Sequence, residues 1–420
     1  MKNHLYYFNR SGLPLIPPVA VTDETPVNSG FGRALYLSAW SVAGAVAGCA
    51  LTYGITWLIQ QITNLAFNGE LSSHAWLPEQ SGLGPAIALI PVIGAIAWWQ
   101  LRQRSPLASA AGMIIGTGAG APLGAEGAAM YSSSTGIQYL SRKCGLNTSE
   151  TTIVSSAVIA AVITWCFGSP LAAIFLAIEL FLPVLALSTL LPLGCAVAVA
   201  AAGVWLWRQP QYDVSAATPA TLSLLGIYVV IGLLTGGLSA LLIRSTARMK
   251  RLREKLNGQR RWWLLLGPVA TGLIGWWAPE TLGPGTAIWH DLLHAGVTMQ
   301  TMMAIACLKL LSWWCYNIAL ETGTSVLTLL SIGGAWGLTI AFIFQVSLDG
   351  ITVNPAMAAI VGMFALFAGA SRAVLASVIF ALEISHSGHL ALPVLLACSV
   401  AYFVSSFTQS GVRRKAALRA

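Results

Sequence analysis

Charge is confined to a few places in this sequence, and the long stretches between them limit what it can fold into. Uncharged runs cover 34–69, 83–101, 105–125, 214–243, 262–279, 322–348 and 384–412, and Glu179 alone interrupts 151–207. A membrane crossing takes about 20 apolar residues, and irregular backbone survives at membrane depth only where protein or a watery cavity covers it. The runs therefore predict an all-α integral membrane protein of about ten to fourteen helical segments, several too short or too broken by Gly and Pro to be simple spans. Composition agrees. Charged residues make up 9% of the 420 positions and hydrophobic residues 56%, where soluble domains carry roughly 25% charged residues.

The net charge of +8 comes mostly from two clusters, Arg244, Arg248, Lys250, Arg251, Arg253, Lys255, Arg260 and Arg261 in one loop and Arg413, Arg414, Lys415 and Arg419 in the tail. Basic loops beside apolar spans are topology signals, so both are predicted to be cytoplasmic, and no nucleic-acid partner is expected. Residues 1–32 are polar and proline-punctuated and read as a disordered cytoplasmic leader; 411–420 read as a basic cytoplasmic tail. The seven cysteines have no CxxC spacing, and His290-Asp-Leu-Leu-His294 lacks a third ligand, so neither a metal nor any other cofactor is expected. The pairs Trp98-Trp99, Trp262-Trp263, Trp276-Trp277 and Trp313-Trp314 read as interfacial anchors at span ends.

Glu126 stands out. It lies in Gly116-Thr-Gly-Ala-Gly-Ala-Pro-Leu-Gly-Ala-Glu-Gly-Ala128, between two uncharged stretches. A carboxylate at membrane depth marks an ion pathway unless it is satisfied locally. A helix starting after the glycines would offer unpaired N–H groups and a positive dipole end, which suit a dehydrated anion. The other reading is a carboxylate bonded to backbone amides for structural reasons alone. No Lys-Ser/Thr follows the glycines, so this is not a phosphate loop, and no nucleophile–base pair suggests an enzyme.

A weak internal duplication surrounds it. Residues 170–180 (Pro-Leu-Ala-Ala-Ile-Phe-Leu-Ala-Ile-Glu-Leu) and 374–384 (Val-Leu-Ala-Ser-Val-Ile-Phe-Ala-Leu-Glu-Ile) place Glu179 and Glu383 at matching positions, 204 apart. Two related halves are expected, about 33–210 and 214–410, meeting around a site built from helices that stop halfway. The counterpart of Glu126 then falls at about 330, near Glu321-Thr-Gly-Thr-Ser-Val-Leu-Thr328. Structural pairing, with Lys309 or Arg372 as partners, is the expectation for Glu179 and Glu383.

Taken together, these residues resemble the CLC family of chloride channels and proton/chloride antiporters. Gly124-Ala-Glu-Gly-Ala128 is similar to that family's G-[RK]-E-G-P anion motif, and Gly168-Ser-Pro-Leu-Ala-Ala173 and Ser371-Arg-Ala-Val-Leu-Ala376 match further segments. Lys309-Leu-Leu to Gly323-Thr-Ser325 and Ser331-Ile-Gly-Gly334 look like the surroundings of its second anion motif. Thinner similarity runs over about residues 35–410. The resemblance implies a CLC-type inverted-repeat domain over 33–410, of the bacterial type without CBS domains, with many short, tilted and broken helices. It also implies a homodimer in which each subunit has its own anion pathway, in a bacterial inner membrane with both termini cytoplasmic.

The departures bear on function. The family's G-[SH]-G-[IP]-P-E segment, about 40 residues before the gating glutamate, looks deleted here. Ser105-Pro106 reads as an ordinary helix start, and Ser81-Gly-Leu-Gly-Pro85 precedes the wrong helix. The second motif is eroded, with Thr328 near the place of its proline. The internal glutamate that antiporters carry one position after Glu179 is Leu180, and the tail from Phe407 has no match for the inner-gate tyrosine. What the resemblance implies is anion transport, chloride by default, gated by Glu126 and not tightly coupled to protons. The anion would contact Gly124, Ala125, Glu126, Gly127 and Ala128 and also Thr324, Ser325, Val326 and Leu327. Proton-coupled exchange, bicarbonate or fluoride as the anion, and a non-transporting regulatory or binding subunit remain open. Glu321 could repel anions, serve as a substitute proton relay, or cap a turn.

Overall fold

The computed structural model describes residues 5–6, 13, 15, 19–20, 30–182, 185–207, 222–255, 265–283, 285, 298–320, 323–348 and 352–417. Glu321, the His290–His294 pair, Trp262-Trp263 and the stretch 256–264 of the basic loop lie outside the described residues. Helices dominate. The described residues contain α1 (Phe31–Asn68), α2 (Ile90–Arg102), α3 (Pro106–Gly118), α4 (Ala125–Lys143), α5 (Thr148–Phe167), α6 (Pro170–Leu180), α7 (Leu187–Trp207), α8 (Leu222–Lys255) and α9 (Leu266–Trp277). There follow α10 (Met299–Leu320), α11 (Val326–Ser347), α12 (Pro355–Ser371), α13 (Val374–Ser385) and α14 (Ala391–Ala417). The described strands are one antiparallel pair of two residues each, β1 (Leu5–Tyr6) and β2 (Val19–Ala20).

Eight of the described helical segments are long and apolar enough to cross a membrane. Others are not. With 11 and 12 residues, α6 and α13 reach only about 16–18 Å, roughly half the hydrocarbon thickness. α12 is the core of the protein: every residue from Ala356 to Ser371 is buried, and Asn354 starts it by accepting from the amides of Ala356 and Met357. It crosses α11 through glycines, since a Cβ added at Gly333 would stand 2.6 Å from the Gly362 carbonyl oxygen. α8 crosses α14 in the same way, with Gly236 against Ala401. Small residues let these helices approach closely where no water drives them together.

The two stretches that the sequence pairs have the same local geometry. α5 ends at Gly168 (φ 69°) and α12 at Arg372 (φ 70°), and the linking residues Ser169 and Ala373 have nearly equal dihedrals (φ −118°, ψ 83° and φ −101°, ψ 82°). A left-handed arginine is disfavoured unless its surroundings fix it. Here its guanidinium donates to Ser406 Oγ (2.7 Å) and the Ser405 carbonyl (3.2 Å) and lies over the Tyr402 ring.

Glu179 and Glu383 correct one expectation. Neither pairs with Lys309 or Arg372. Glu179, near the end of α6, accepts from the Leu375 and Ala376 amides (3.1 and 2.9 Å), the first turn of α13. Glu383, near the end of α13, accepts from the Leu171 and Ala172 amides (2.9 and 2.8 Å), the first turn of α6. Two short antiparallel helices thus cap each other. Neither has a side-chain cap of its own, so each glutamate satisfies amides that nothing local would satisfy.

Other corrections concern the ends and the tryptophans. Leu13 and Leu15, placed by sequence in a disordered leader, are 2% and 1% exposed, and the Leu13 amide donates to the Ala370 carbonyl. Trp98 and Trp313 are interior residues and not interfacial anchors, whereas Trp276 and Trp277 are exposed. α3 makes the room for Trp98, whose ring lies over Gly112 and Gly116. Arg33 and Glu150 join the starts of α1 and α5 through a two-pronged contact (2.6 and 2.8 Å), and Glu150 also closes a capping box with Asn147.

Candidate functional site at the meeting of two helix starts

The Gly-rich stretch ends α3 and turns sharply into α4. Gly120 takes φ 84°, a conformation that favours glycine, and the Ala121 amide returns to the Gly116 carbonyl. α4 begins at Ala125 with Gly124 as its N-cap residue. A Cβ at Gly124 would displace the carboxylate of Glu126, which folds back over the helix start.

That carboxylate is 4% exposed and reaches across to the start of α11. Its Oε1 accepts from the Ser325 hydroxyl (2.5 Å) and the Leu327 amide (2.8 Å). Ser325 is the N-cap of α11, and its oxygen also accepts from the Thr328 amide (3.3 Å) and the Gly124 amide (2.8 Å). One hydroxyl thereby ties both helix starts to the same carboxylate. The Thr328 hydroxyl donates to the Pro122 carbonyl (3.1 Å) and pins the preceding loop to α11. Two helix N-termini converge on one buried anionic group, each with unpaired N–H groups and a positive dipole end. A small anion of the same charge would find the same donors if the carboxylate left.

Of the residues singled out by sequence, Gly124, Glu126, Ser325 and Leu327 are brought into direct contact. Ala128 and Val326 are fully buried beside them, and Gly127 continues the first turn of α4 by donating to the Gly124 carbonyl. Ala125 is partly buried, and Thr324 is buried with its hydroxyl unpartnered. Glu321 lies outside the described residues. Sequence reasoning did not find Thr328 as the loop's tether; its place near a missing motif proline concealed a hydroxyl that bonds across 206 positions.

The interval before the glycines contains one helix, α3, between α2 and α4. Ser105 caps it, accepting from the Ala108 amide (3.1 Å) at an exposed position remote in character from the buried site. Leu180 ends α6 and is buried, next to a Glu179 already engaged with α13.

A multi-pass helical membrane protein whose buried carboxylate is held between two helix N-termini is the class that this fold and site define. The model of the voltage gated chloride channel family matches residues 72–406, and the chain belongs to that family, the CLC proteins, and with it to transmembrane anion transport. The H(+)/Cl(-) exchange transporter ClcA of Vibrio cholerae is 25% identical over 350 residues, 79% of this chain and 72% of that protein. A putative chloride channel protein ClcB-like of Ralstonia nicotianae is 25% identical over 380 residues, 88% and 82% of the two chains. Among solved structures, a slow cyanobacterial Cl-/H+ antiporter superposes with a TM-score of 0.70 at 19% identity, covering 93% of this chain and 99% of that one. A CLC-type fluoride/proton antiporter gives 0.71 at 20% identity, covering 90% and 97%.

Proposed function

We propose that the chain moves a small inorganic anion, chloride by default, through the site between α4 and α11, with Glu126 as its gate. The observation that carries this reading is the contact of the Glu126 carboxylate with the Ser325 hydroxyl and the Leu327 amide. Ionised, the carboxylate holds donors that an anion would need; displaced or protonated, it releases them. Hydrogen bonds to a charged group contribute about 1.5–3 kcal/mol each, so an entering anion that takes over both donors offsets most of what the carboxylate loses. Fluoride and bicarbonate are the alternative anions, because the two anion motifs of the family are the segments in which this sequence departs from it. The same reading includes a homodimer in a bacterial inner membrane, both termini cytoplasmic, and two related halves of about 33–210 and 214–410.

Anion movement in this reading is not tightly coupled to protons. Coupling needs a proton to leave the anion site and continue inward through apolar protein. The position after Glu179 is Leu180, which cannot bind a proton, and Glu179 is engaged with the start of α13. The curated relative from Vibrio cholerae is named an exchanger, so the difference is testable directly. Purified protein in liposomes under a chloride gradient is expected to pass chloride with no uphill proton movement. Proton uptake in fixed ratio to chloride would overturn this part, and its loss in Glu321→Gln would identify the substitute relay.

A further inference from the structure

Four residues of α10, Lys309, Ser312, Trp313 and Tyr316, follow the i, i+3, i+4, i+7 spacing that places side chains on one helix face. None is more than 1% exposed. Their head groups are an ammonium, a hydroxyl, an indole N–H and a phenol, so the face bears donors and no carboxylate over about 10 Å. The side-chain polar atoms of Ser312, Trp313 and Tyr316 have no hydrogen-bond partner. The Lys309 ammonium reaches only the carbonyl oxygens of Thr281 (3.3 Å) and Gly283 (3.2 Å) and has no ion pair among the described residues.

A buried ammonium without a counter-charge is costly, and so are buried donors left unpaired. Ionisable groups inside a membrane protein pair with one another or with backbone carbonyls, or mark an ion pathway; here the two carbonyls bring no counter-charge, which a mobile anion would supply. The location of the four residues fits. A Cβ added at Gly116 would stand 3.5 Å from the Tyr316 hydroxyl, and the Gly116 carbonyl accepts from Ala121 in the loop that leads to Glu126. At the other end, the Gly283 amide donates to the Gly120 carbonyl (3.1 Å) of that loop. Gly285 (φ 82°) leaves space for the lysine head: its Cβ would stand 2.9 Å from Nζ and 3.2 Å from the hydroxyl of Ser331, one turn beyond Leu327 on α11.

We infer that this face of α10 is a second anion-binding segment beside the Glu126 site, at which the transported anion is the counter-ion of Lys309. The inference rests on the anion-transport reading above. Hydroxyl and N–H groups replace the water around the anion, and the ammonium favours a monovalent anion over a water molecule, which would leave the charge unbalanced. It also supplies donors in a chain whose first anion motif is missing.

The test is chloride binding by the purified protein in detergent, measured by calorimetry and by the rise in unfolding temperature with chloride in place of gluconate, together with liposome efflux of chloride and fluoride. Lys309→Met is expected to weaken chloride binding by about tenfold or more, and Lys309→Arg to restore much of it. Tyr316→Phe, which removes one unbonded oxygen, is expected to change the chloride-to-fluoride preference. If Lys309→Met does not fold, Tyr316→Phe decides. A protein that moves anions while Lys309→Met and Tyr316→Phe bind chloride with unchanged affinity and preference would overturn the second segment alone, leaving Lys309 as a tether of residues 281–283. A wild-type protein that neither binds nor passes any anion would overturn the transport reading beneath it.

Discussion

Glu126→Gln is expected to raise basal anion efflux by about tenfold or more and to remove its dependence on acid, since each tenfold corresponds to about 1.4 kcal/mol of barrier. The amide keeps the shape of the side chain but not its charge, so its hold on the Ser325 hydroxyl and the Leu327 amide falls to that of a neutral pair. An anion then competes for the donors without displacing a carboxylate. The sign of the pH effect follows from the same contact: protonation of Glu126 in the wild type mimics the substitution, so flux rises as pH falls. In the glutamine variant nothing at that position titrates. Efflux and pH response both equal to the wild type would remove Glu126 from the gate and leave it a helix-start ligand.

The second large effect concerns the exchange of caps between α6 and α13. Glu179→Ala and Glu383→Ala each strip two first-turn amides of their acceptor, a loss of about 1–3 kcal/mol apiece. Each variant is expected to unfold at a measurably lower temperature in detergent, with Glu179→Gln and Glu383→Gln recovering part of the loss. The two losses should not add, because both fall on one pair of packed helices. A Glu179→Ala protein of unchanged stability but altered proton dependence of transport would instead make Glu179 part of an ion pathway.

Much of this was open to reading along the chain, and the limits have physical causes. The uncharged runs give the membrane class because nothing else tolerates them. Glu126 is legible since a lone carboxylate among glycines has few other uses, and the repeat offset leads to about 330, close to the start of α11 at Val326. Which donors the carboxylate meets is not legible, because Ser325 and Leu327 come from a helix about 200 residues away whose approach depends on loop geometry. The partners of Glu179 and Glu383 were missed although a signal existed. A glutamate near the negative end of its own helix is badly placed there, which points to the start of some other helix. Two such helices in matching repeats can only exchange if they lie antiparallel, and spacing along the chain does not say so. Trp98 and Trp313 were misplaced for a similar reason. Their positions near span ends suggested an interface, whereas the Gly112 and Gly116 that receive Trp98 lie on the neighbouring helix α3.

On the proposed pathway an anion crosses the membrane where α4 and α11 begin. Efflux of chloride, fluoride and bicarbonate from liposomes containing the purified protein, compared in parallel with protein-free liposomes, tests it most directly. Efflux of at least one of the three is expected, faster at acid pH and faster still in Glu126→Gln. Silence for all three, from protein that is folded and inserted, in the wild type and in Glu126→Gln alike, would contradict it and favour a membrane subunit that binds or regulates without transporting.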